Sequence, residues 1–354
     1  MINLDKKRVI LGLSGGVDST VAAIFLLEQG YEVIGLHFTT IHSNQDNGID
    51  RAREVAKKLN IKLIEKDVSK EFSNIVISDF IYNYSLGMTP NPCALCNPTV
   101  KFKTLIDVAN AEGVYHIATG HYARVKYSEK YGCYLITKSI NKRKDQSYVL
   151  YGLEEDVIKR IIFPLEKIED KTKIRQVAKD NDMLNANAPD SQEICFIADD
   201  ENYIDFIKKY NKKYSDKTGN FVDNTGKILG THKGIAHYTI GQRKGLGIAL
   251  GKPAFVTKID AKNNEVCLGD NDELFKNNVI INNVKLVPKN IFSNKNIANL
   301  SGKVRYNSDT SRCNITQQDD LLLVTFDQAQ RAITPGQILA LYDEDFLLGG
   351  GVIV

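Results

Sequence analysis

The first part of the chain alternates two hydrophobic periods. Lys7–Leu13 (KRVILGL) is an apolar run of buried-strand length, and Val17–Gln29 repeats apolar residues at helical spacing until Gly30 stops it. A second strand is expected at Tyr31–Phe38, a helix around Asp50–Leu59, and a strand at Ile61–Val68. Helices are expected over Glu71–Tyr84 and Thr99–Ala111, then a short strand at Tyr115–Thr119. Apolar strands alternating with helices indicate an α/β fold, a doubly wound parallel sheet covered on both faces. From about Tyr127 to Asp190 the pattern is mixed, with one clear helix over Lys171–Asn181. After Tyr210, runs such as GIAHYTIG, PAFVTKID, NEVCLGD, LLLVTFD and GQILALYD are separated by Gly, Asn and Asp. That is an all-β signature, long enough for two small modules. The expected domains are 1–208 (α/β), 209–273 (small, β-rich) and 274–354 (β-barrel), with the seam in the polar, turn-rich Asn271–Phe275.

Composition adds little until its distribution is considered. With 354 residues, 43% hydrophobic and 25% charged, the chain can bury two or three domain cores. A formal charge of +3 does not by itself identify a polyanionic partner. From Gly226 to Lys258, however, there is no Asp or Glu, while Lys227, Lys233, Arg243, Lys244, Lys252 and Lys258 all occur, so a local basic surface is expected. The first apolar run meets glycines at once, and no run is long enough to span a bilayer. A cytoplasmic protein without a membrane partner is expected. There the six cysteines are mainly reduced, and their even number is no sign of a disulfide framework.

Candidate chemistry starts where the first strand meets the first helix, in LGLSGGVDST. Gly15 and Gly16 allow close backbone approach, Ser14 and Ser19 offer hydroxyls, and the helix start adds unpaired N–H groups and a positive dipole end. Together these make a pyrophosphate cradle without the Walker lysine, and Asp18 is placed to hold a metal ion on the phosphates. Gly120 and His121 follow the strand Tyr115–Thr119. If strands one and four flank the reversal of strand order, both loops face one crevice. In TPNPCALCNP, Cys93 and Cys96 lie between prolines on what reads as a loop. The pair is open to four readings: half a zinc site, a redox dithiol, part of an iron–sulfur site, or a sulfur carrier. Cys133, Cys195, Cys267 and Cys313 stand singly, so a second zinc-binding pair is missing.

SGGVDS, directly after a strand, is similar to the signature loop of the ATP pyrophosphatases (the PP-loop superfamily). Further motifs narrow the resemblance: TPNPxxxCNxxxKF (Thr89–Phe102), ATGHYAR (Ala118–Arg124), KDQSYVLY (Lys144–Tyr151) and SQEICFI (Ser191–Ile197), then HYTIGQRKGLGI (His237–Ile248), VRY (Val304–Tyr306), TPGQ (Thr334–Gln337) and LGGGVI (Leu348–Ile353). In this order, over nearly the whole chain, they resemble the bacterial tRNA-specific 2-thiouridylases.

The resemblance implies that ATP, with Mg2+, adenylates O2 of the wobble uridine (position 34) of tRNA, and that sulfur then replaces the activated oxygen. It implies a catalytic 1–208, a tRNA-binding 209–273, and nucleotide contacts at Gly12, Leu13, Ser14, Gly15, Gly16, Val17, Asp18, Ser19, Phe38 and Gly120. Cys195 becomes the persulfide carrier and Cys96 the second catalytic cysteine, joined in a transient disulfide. Contacts to tRNA fall at Asn91, Pro92, Cys93, His121, Lys144, Asp145, Gln146, Arg305, Tyr306 and Gln337. The implied partners are tRNAs for Glu, Gln and Lys and a sulfur donor, either a cysteine desulfurase or a sulfur relay protein. One position departs from the family form, which has Asp where this chain has Cys93. Three cysteines then converge, and a [4Fe–4S] cluster on Cys93, Cys96 and Cys195 becomes an alternative route for the same reaction. Two rivals remain from other classes: another PP-loop ATP pyrophosphatase, and a non-catalytic RNA-binding protein with a zinc knuckle.

Overall fold

The computed structural model describes residues 4–41, 48–187, 194–198, 201–212, 214–289, 291 and 300–354. The chain opens with β1 (Asp5–Gly12), α1 (Val17–Glu28), β2 (Glu32–Thr39), α2 (Gly48–Lys58) and β3 (Lys62–Asp67). A helical path follows through α3 (Ser69–Phe72), a π-helical stretch Ser73–Ile77 and α4 (Ser78–Ser85). Next come α5 (Pro92–Cys96), a second π stretch Asn97–Lys101, α6 (Phe102–Ala111) and β4 (Val114–Ala118). A hairpin, β5 (Arg124–Ser128) and β6 (Cys133–Thr137), leads to α7 (Glu155–Ile158), β7 (Ile161–Ile162), α8 (Lys171–Asp180) and α9 (Tyr203–Tyr210). β1, β2, β3, β4 and β7 form a parallel sheet in the order β3-β2-β1-β4-β7. Val9, Ile10 and Leu11 at its centre are fully buried, as a strand with no polar face requires. The order reverses between β1 and β4, so strands one and four do flank the switch point.

The cysteine pair corrects the sequence reading: it lies on helix α5, not on a loop. Asn91 Oδ1 accepts the Ala94 N–H (3.1 Å), and Pro92 takes the first helical position, where its missing N–H costs nothing. Pro98, the second of the two prolines that read as loop, sits inside the continuing helix. A proline there withholds a hydrogen bond and crowds the preceding turn, and the path widens into the π stretch Asn97–Lys101.

The rest is β. β8 (Gly219–Val222), β9 (Ile228–His232), β10 (Phe255–Asp260) and β11 (Glu265–Gly269) form a sheet in the order β10-β11-β8-β9. β12 (Phe275–Leu286), β13 (Leu300–Lys303), β14 (Ser311–Gln318), β15 (Leu321–Arg331), β16 (Ile338–Asp343) and β17 (Phe346–Ile353) follow. Their order β12-β15-β14-β13-β16-β17 closes through a β12–β17 pairing, giving a barrel without free edges. The hairpin β5–β6, in the stretch where the sequence pattern was mixed, extends this sheet through Phe346↔Thr137.

The α/β unit and the barrel are welded together. One hydrophobic cluster runs from Ile10, Phe102 and Ile117 through Tyr148 to Leu339 and Tyr342. Thr89, just before α5, donates its N–H to Pro335 O (2.9 Å), accepts from Gln337 Nε2 (2.8 Å), and its hydroxyl meets that of Thr239 at 3.1 Å. Among the described residues no helix is long and apolar enough to cross a membrane.

Gly336 makes this seam possible. Its φ is +89°, and a Cβ there would lie 3.0–3.1 Å from the backbone of Thr89. Gly336→Ala is therefore expected to cost about 1–3 kcal/mol of stability, read as a lower melting temperature. An unchanged melt contradicts a tight seam.

Candidate active site

Between β1 and α1 the loop folds on its own hydroxyls. Ser19 Oγ donates to Gly16 O (2.9 Å) and lies 3.2 Å from Ser14 Oγ, which accepts the Gly16 N–H (3.3 Å). Gly16 is the N-cap of α1 and supplies no side-chain cap, so the first-turn N–H groups are left for a ligand. Gly15 turns with φ +80°. A Cβ on Gly120 would meet Asp18 C and Ser19 N at 3.0 Å, and one on Gly12 would meet Phe38 Cε2 at 3.5 Å. Gly120 is thus packed against the start of α1 and Gly12 against Phe38, at the carboxyl ends of β1 and β4, the position an α/β switch point gives to a ligand. Leu13 and Val17 are buried and support the loop from below.

Asp18 is already engaged. Tyr122 Oη donates to its Oδ1 (2.8 Å) and Lys171 Nζ to its Oδ2 (3.1 Å). Tyr122 is fixed in turn by Gln146, whose side chain accepts the Tyr122 N–H and whose N–H reaches Tyr122 O, both at 2.9 Å. The sequence signalled neither Tyr122 nor Lys171 as part of the site.

His121 links the loop region to the segment that follows the cysteine helix. Its Nδ1 is 2.8 Å from Thr119 Oγ1 and its ring stacks on Phe102 at 6.0 Å. Burial, with the nearby Lys101 ammonium, pushes its pKa down to about 3, so the imidazole is neutral at physiological pH. Phe102 follows Lys101 at the end of the π stretch that begins beside Cys96.

Cys93, Cys96 and Cys195 share this neighbourhood. Cys96 is buried in one cluster with Phe196 and Ile197, against which Ile194 packs, so the turn bearing Cys195 is seated on the cysteine helix. Cys93 and Cys195 are open to solvent, and all three are free thiols. Burial pushes each thiol up, Cys195 to about 12, and the Lys101 charge pulls each of them down. Cys93 and Cys195 are thus reachable by solvent while protein packed around them disfavours the thiolate. Lys101, the cation common to the three sulfurs and His121, is the K of the quoted KF motif and was overlooked as a site residue. Among the described residues no three His, Cys, Asp or Glu side chains are gathered where they would hold a metal ion.

The expected tRNA contacts divide. Tyr306 is exposed, with burial first and then the charges of Asp145 and Cys93 raising its phenol, which places it beside the cysteine helix. Lys303 lies 5.7 Å from its ring. Asp145 accepts from Ser139 N (2.8 Å), Ser147 N (3.3 Å) and Ser147 Oγ (2.9 Å), which holds a turn. Arg305 donates to Ala332 O (3.0 Å) and to Arg331 O, Gln337 holds Thr89, and Asn91 caps α5 with buried Pro92. Lys144 is half-buried in the turn before Ser147–Leu150. In the acid-free stretch Lys252 pairs with Asp270 (2.8 Å), while Arg243 and Lys244 are exposed.

An open parallel sheet with a Gly-rich, lysine-free phosphate loop at its switch point defines a PP-loop nucleotide-binding protein. Family models match along the chain: a tRNA methyl transferase HUP domain over 7–199, a tRNA methyl transferase PRC-barrel domain over 204–270 and an aminomethyltransferase beta-barrel domain over 277–353. The tRNA-specific 2-thiouridylase MnmA of Clostridioides difficile (strain 630) is 42% identical over 361 residues, covering 98% of either chain. MnmA 2 of Caldanaerobacter subterraneus subsp. tengcongensis is 43% identical, covering 98% of this chain and 97% of that one. The chain belongs to the tRNA-specific 2-thiouridylase (MnmA) family.

With its pKa pushed to about 12, Cys195 should be alkylated by iodoacetamide at a rate rising about tenfold per pH unit through the weakly alkaline range. Lys101→Ala should slow the reaction at every pH. A plateau near about 8.5, the ordinary thiol midpoint, contradicts the desolvated crevice.

Proposed function

We propose that the protein is a tRNA-uridine 2-sulfurtransferase that uses ATP to make 2-thiouridine at the wobble position. The observation that carries this reading is a chain of contacts: Gly120 against Asp18 and Ser19 of the loop, the next residue His121 stacked on Phe102, and Lys101 beside it acting on His121 and all three thiols. Contacts of this kind support an activating site and a sulfur site as neighbours, as a reaction in two steps on one base requires.

The steps follow from these positions. The loop and the first turn of α1 hold the triphosphate of ATP, with Phe38 and Gly120 flanking the nucleotide. Mg2+ enters as the counter-ion of ATP. Asp18, the carboxylate of the loop, would be the residue to hold it, and the ion would offset charge on the phosphates. The uridine O2 attacks the α-phosphorus and pyrophosphate leaves. The terminal sulfur of a Cys195 persulfide then attacks C2, and AMP leaves with the former O2. The Cys96 thiolate attacks Cys195 Sγ, which leaves sulfur on the base and forms a Cys96–Cys195 disulfide. Two thiols of a cellular reductant restore both cysteines. Neutral His121 can donate or accept one hydrogen bond near the base, and Tyr306 offers a stacking face.

Residues 1–208 then serve as the catalytic domain, with 209–273 and 274–354 gripping tRNA through surfaces that include Arg243, Lys244 and Lys303. The acceptors are tRNAs for Glu, Gln and Lys, and sulfur comes from a cysteine desulfurase or a relay protein. In the competing route Cys93, Cys96 and Cys195 hold a [4Fe–4S] cluster. Protein purified without oxygen that is active yet lacks iron and acid-labile sulfide supports the persulfide route, and activity that tracks iron content supports the cluster.

Incubation with ATP, a sulfur donor and unmodified tRNA should give 2-thiouridine by nucleoside mass spectrometry. Cys195→Ser and Cys96→Ser should each abolish it while leaving pyrophosphate release intact. Pyrophosphate release by the unaltered protein without thiolation indicates another PP-loop pyrophosphatase. Stoichiometric zinc with no ATP turnover indicates a zinc-knuckle RNA-binding protein.

A further inference from the structure

The 12–19 loop has an unresolved charge problem. ATP brings several negative charges to a cradle that contains Asp18 and no Lys or Arg. A Walker loop carries its own lysine at this point, and this one does not. Mg2+ offsets part of the charge, but an acidic side chain at the start of α1 repels the rest unless a cation stands beside it.

Lys171 stands there. Its ammonium is 3.1 Å from Asp18 Oδ2, and the two side chains are 16% and 31% exposed, so the pair lies at the mouth of the site and not on the open surface. Two features hold it in place. Asp170 caps its helix by accepting from Thr172 N (2.9 Å) and Thr172 Oγ1 (2.7 Å), so its charge is directed into α8 and away from Lys171. Ile174 and Ala178 of α8 are buried with Val17, Val21 and Ala22 of α1, which fixes one helix against the other. Beyond α8 the chain grips the loop again, as Asn185 Nδ2 donates to Gly15 O and Thr20 Oγ1, both at 2.8 Å. The segment 171–185 is therefore a rigid buttress tied to the phosphate loop at both ends, with one lysine aimed at the acid inside it. An ion pair at this depth adds little to stability by itself, so stability does not explain why so much structure positions it.

Resting on the ATP-dependent reading above, we propose that Lys171 is the phosphate-binding cation of the nucleotide site. Asp18 poises the ammonium at the loop, and from there it reaches the pyrophosphate end of ATP and stabilises pyrophosphate as it leaves. The lysine that other phosphate loops carry within the motif is supplied here by a helix about 150 residues further on, since Lys171 and Asp18 are 153 positions apart.

The test is calorimetric titration of the full chain and its variants Lys171→Ala, Lys171→Gln and Lys171→Arg with Mg·ATP, inorganic pyrophosphate and adenosine. Removing the charge should weaken ATP and pyrophosphate by about ten- to a hundredfold, the worth of a charge-assisted hydrogen bond. Adenosine affinity should stay the same, and Lys171→Arg should recover most of the loss. Unchanged affinity for ATP and pyrophosphate overturns the proposal. So does an equal loss for all three ligands together with a lower melting temperature, since that is the signature of a buttress alone. If the unaltered protein binds ATP and makes 2-thiouridine while Lys171→Ala binds as well as it does, only this inference fails. If the unaltered protein does neither, the thiouridylase reading itself fails and takes the inference with it.

Discussion

The architecture depends on what happens at Thr89. Its N–H and C=O are taken by Pro335 and Gln337 of the barrel and its hydroxyl by Thr239 of the central region. Each bond is worth only about 1 kcal/mol net, yet leaving any of these groups buried and unpaired would cost more. Two residues later Asn91 caps the helix that carries Cys93 and Cys96. The cysteine helix thus hangs from a residue that all three parts of the chain hold, and the shared hydrophobic cluster makes the arrangement rigid. A helix of five residues has almost no stability of its own. Its position is a property of the whole protein.

The electrostatics of the crevice follow from the same closeness. Walls dense enough to seat α5 also desolvate the thiols and His121, which keeps the sulfurs protonated and the imidazole neutral. A single ammonium, Lys101, works against this for all three sulfurs at once. The site therefore holds its sulfurs as thiols while keeping one lever by which a thiolate can form. At the 12–19 loop Lys171 faces Asp18, so each half of the proposed reaction has a cation of its own.

Much of the nucleotide half was legible in the sequence. The run KRVILGL, the glycines after it and the helical period from Val17 are strong local signals, and the switch point followed from the alternation of elements. The sulfur half was only partly legible. Cys96 and Cys195 were expected there only through the motifs of the resemblance, helix α5 is too short to show a period, and its two flanking prolines read as loop. In fact Pro92 starts the helix and Pro98 widens its continuation. Other features depend on pairings that no local pattern reports. The hairpin β5–β6 joins a barrel strand more than two hundred residues away. Asp145, Arg305 and Gln337 have the residue types of RNA contacts and are engaged with backbone groups of the protein itself. Ser191, Gln192 and Glu193 of the SQEICFI motif lie outside the described residues.

The central claim is that the fold brings two distant cysteines together to hand one sulfur atom to an activated base. It is tested most directly by a single round of thiolation with persulfide-loaded protein, ATP and tRNA in the absence of reductant, quenched with an alkylating agent and mapped by peptide mass spectrometry. The account predicts a Cys96–Cys195 disulfide in proportion to the 2-thiouridine formed, and none when ATP is left out. Full conversion to 2-thiouridine with both cysteines recovered as alkylated thiols would contradict it.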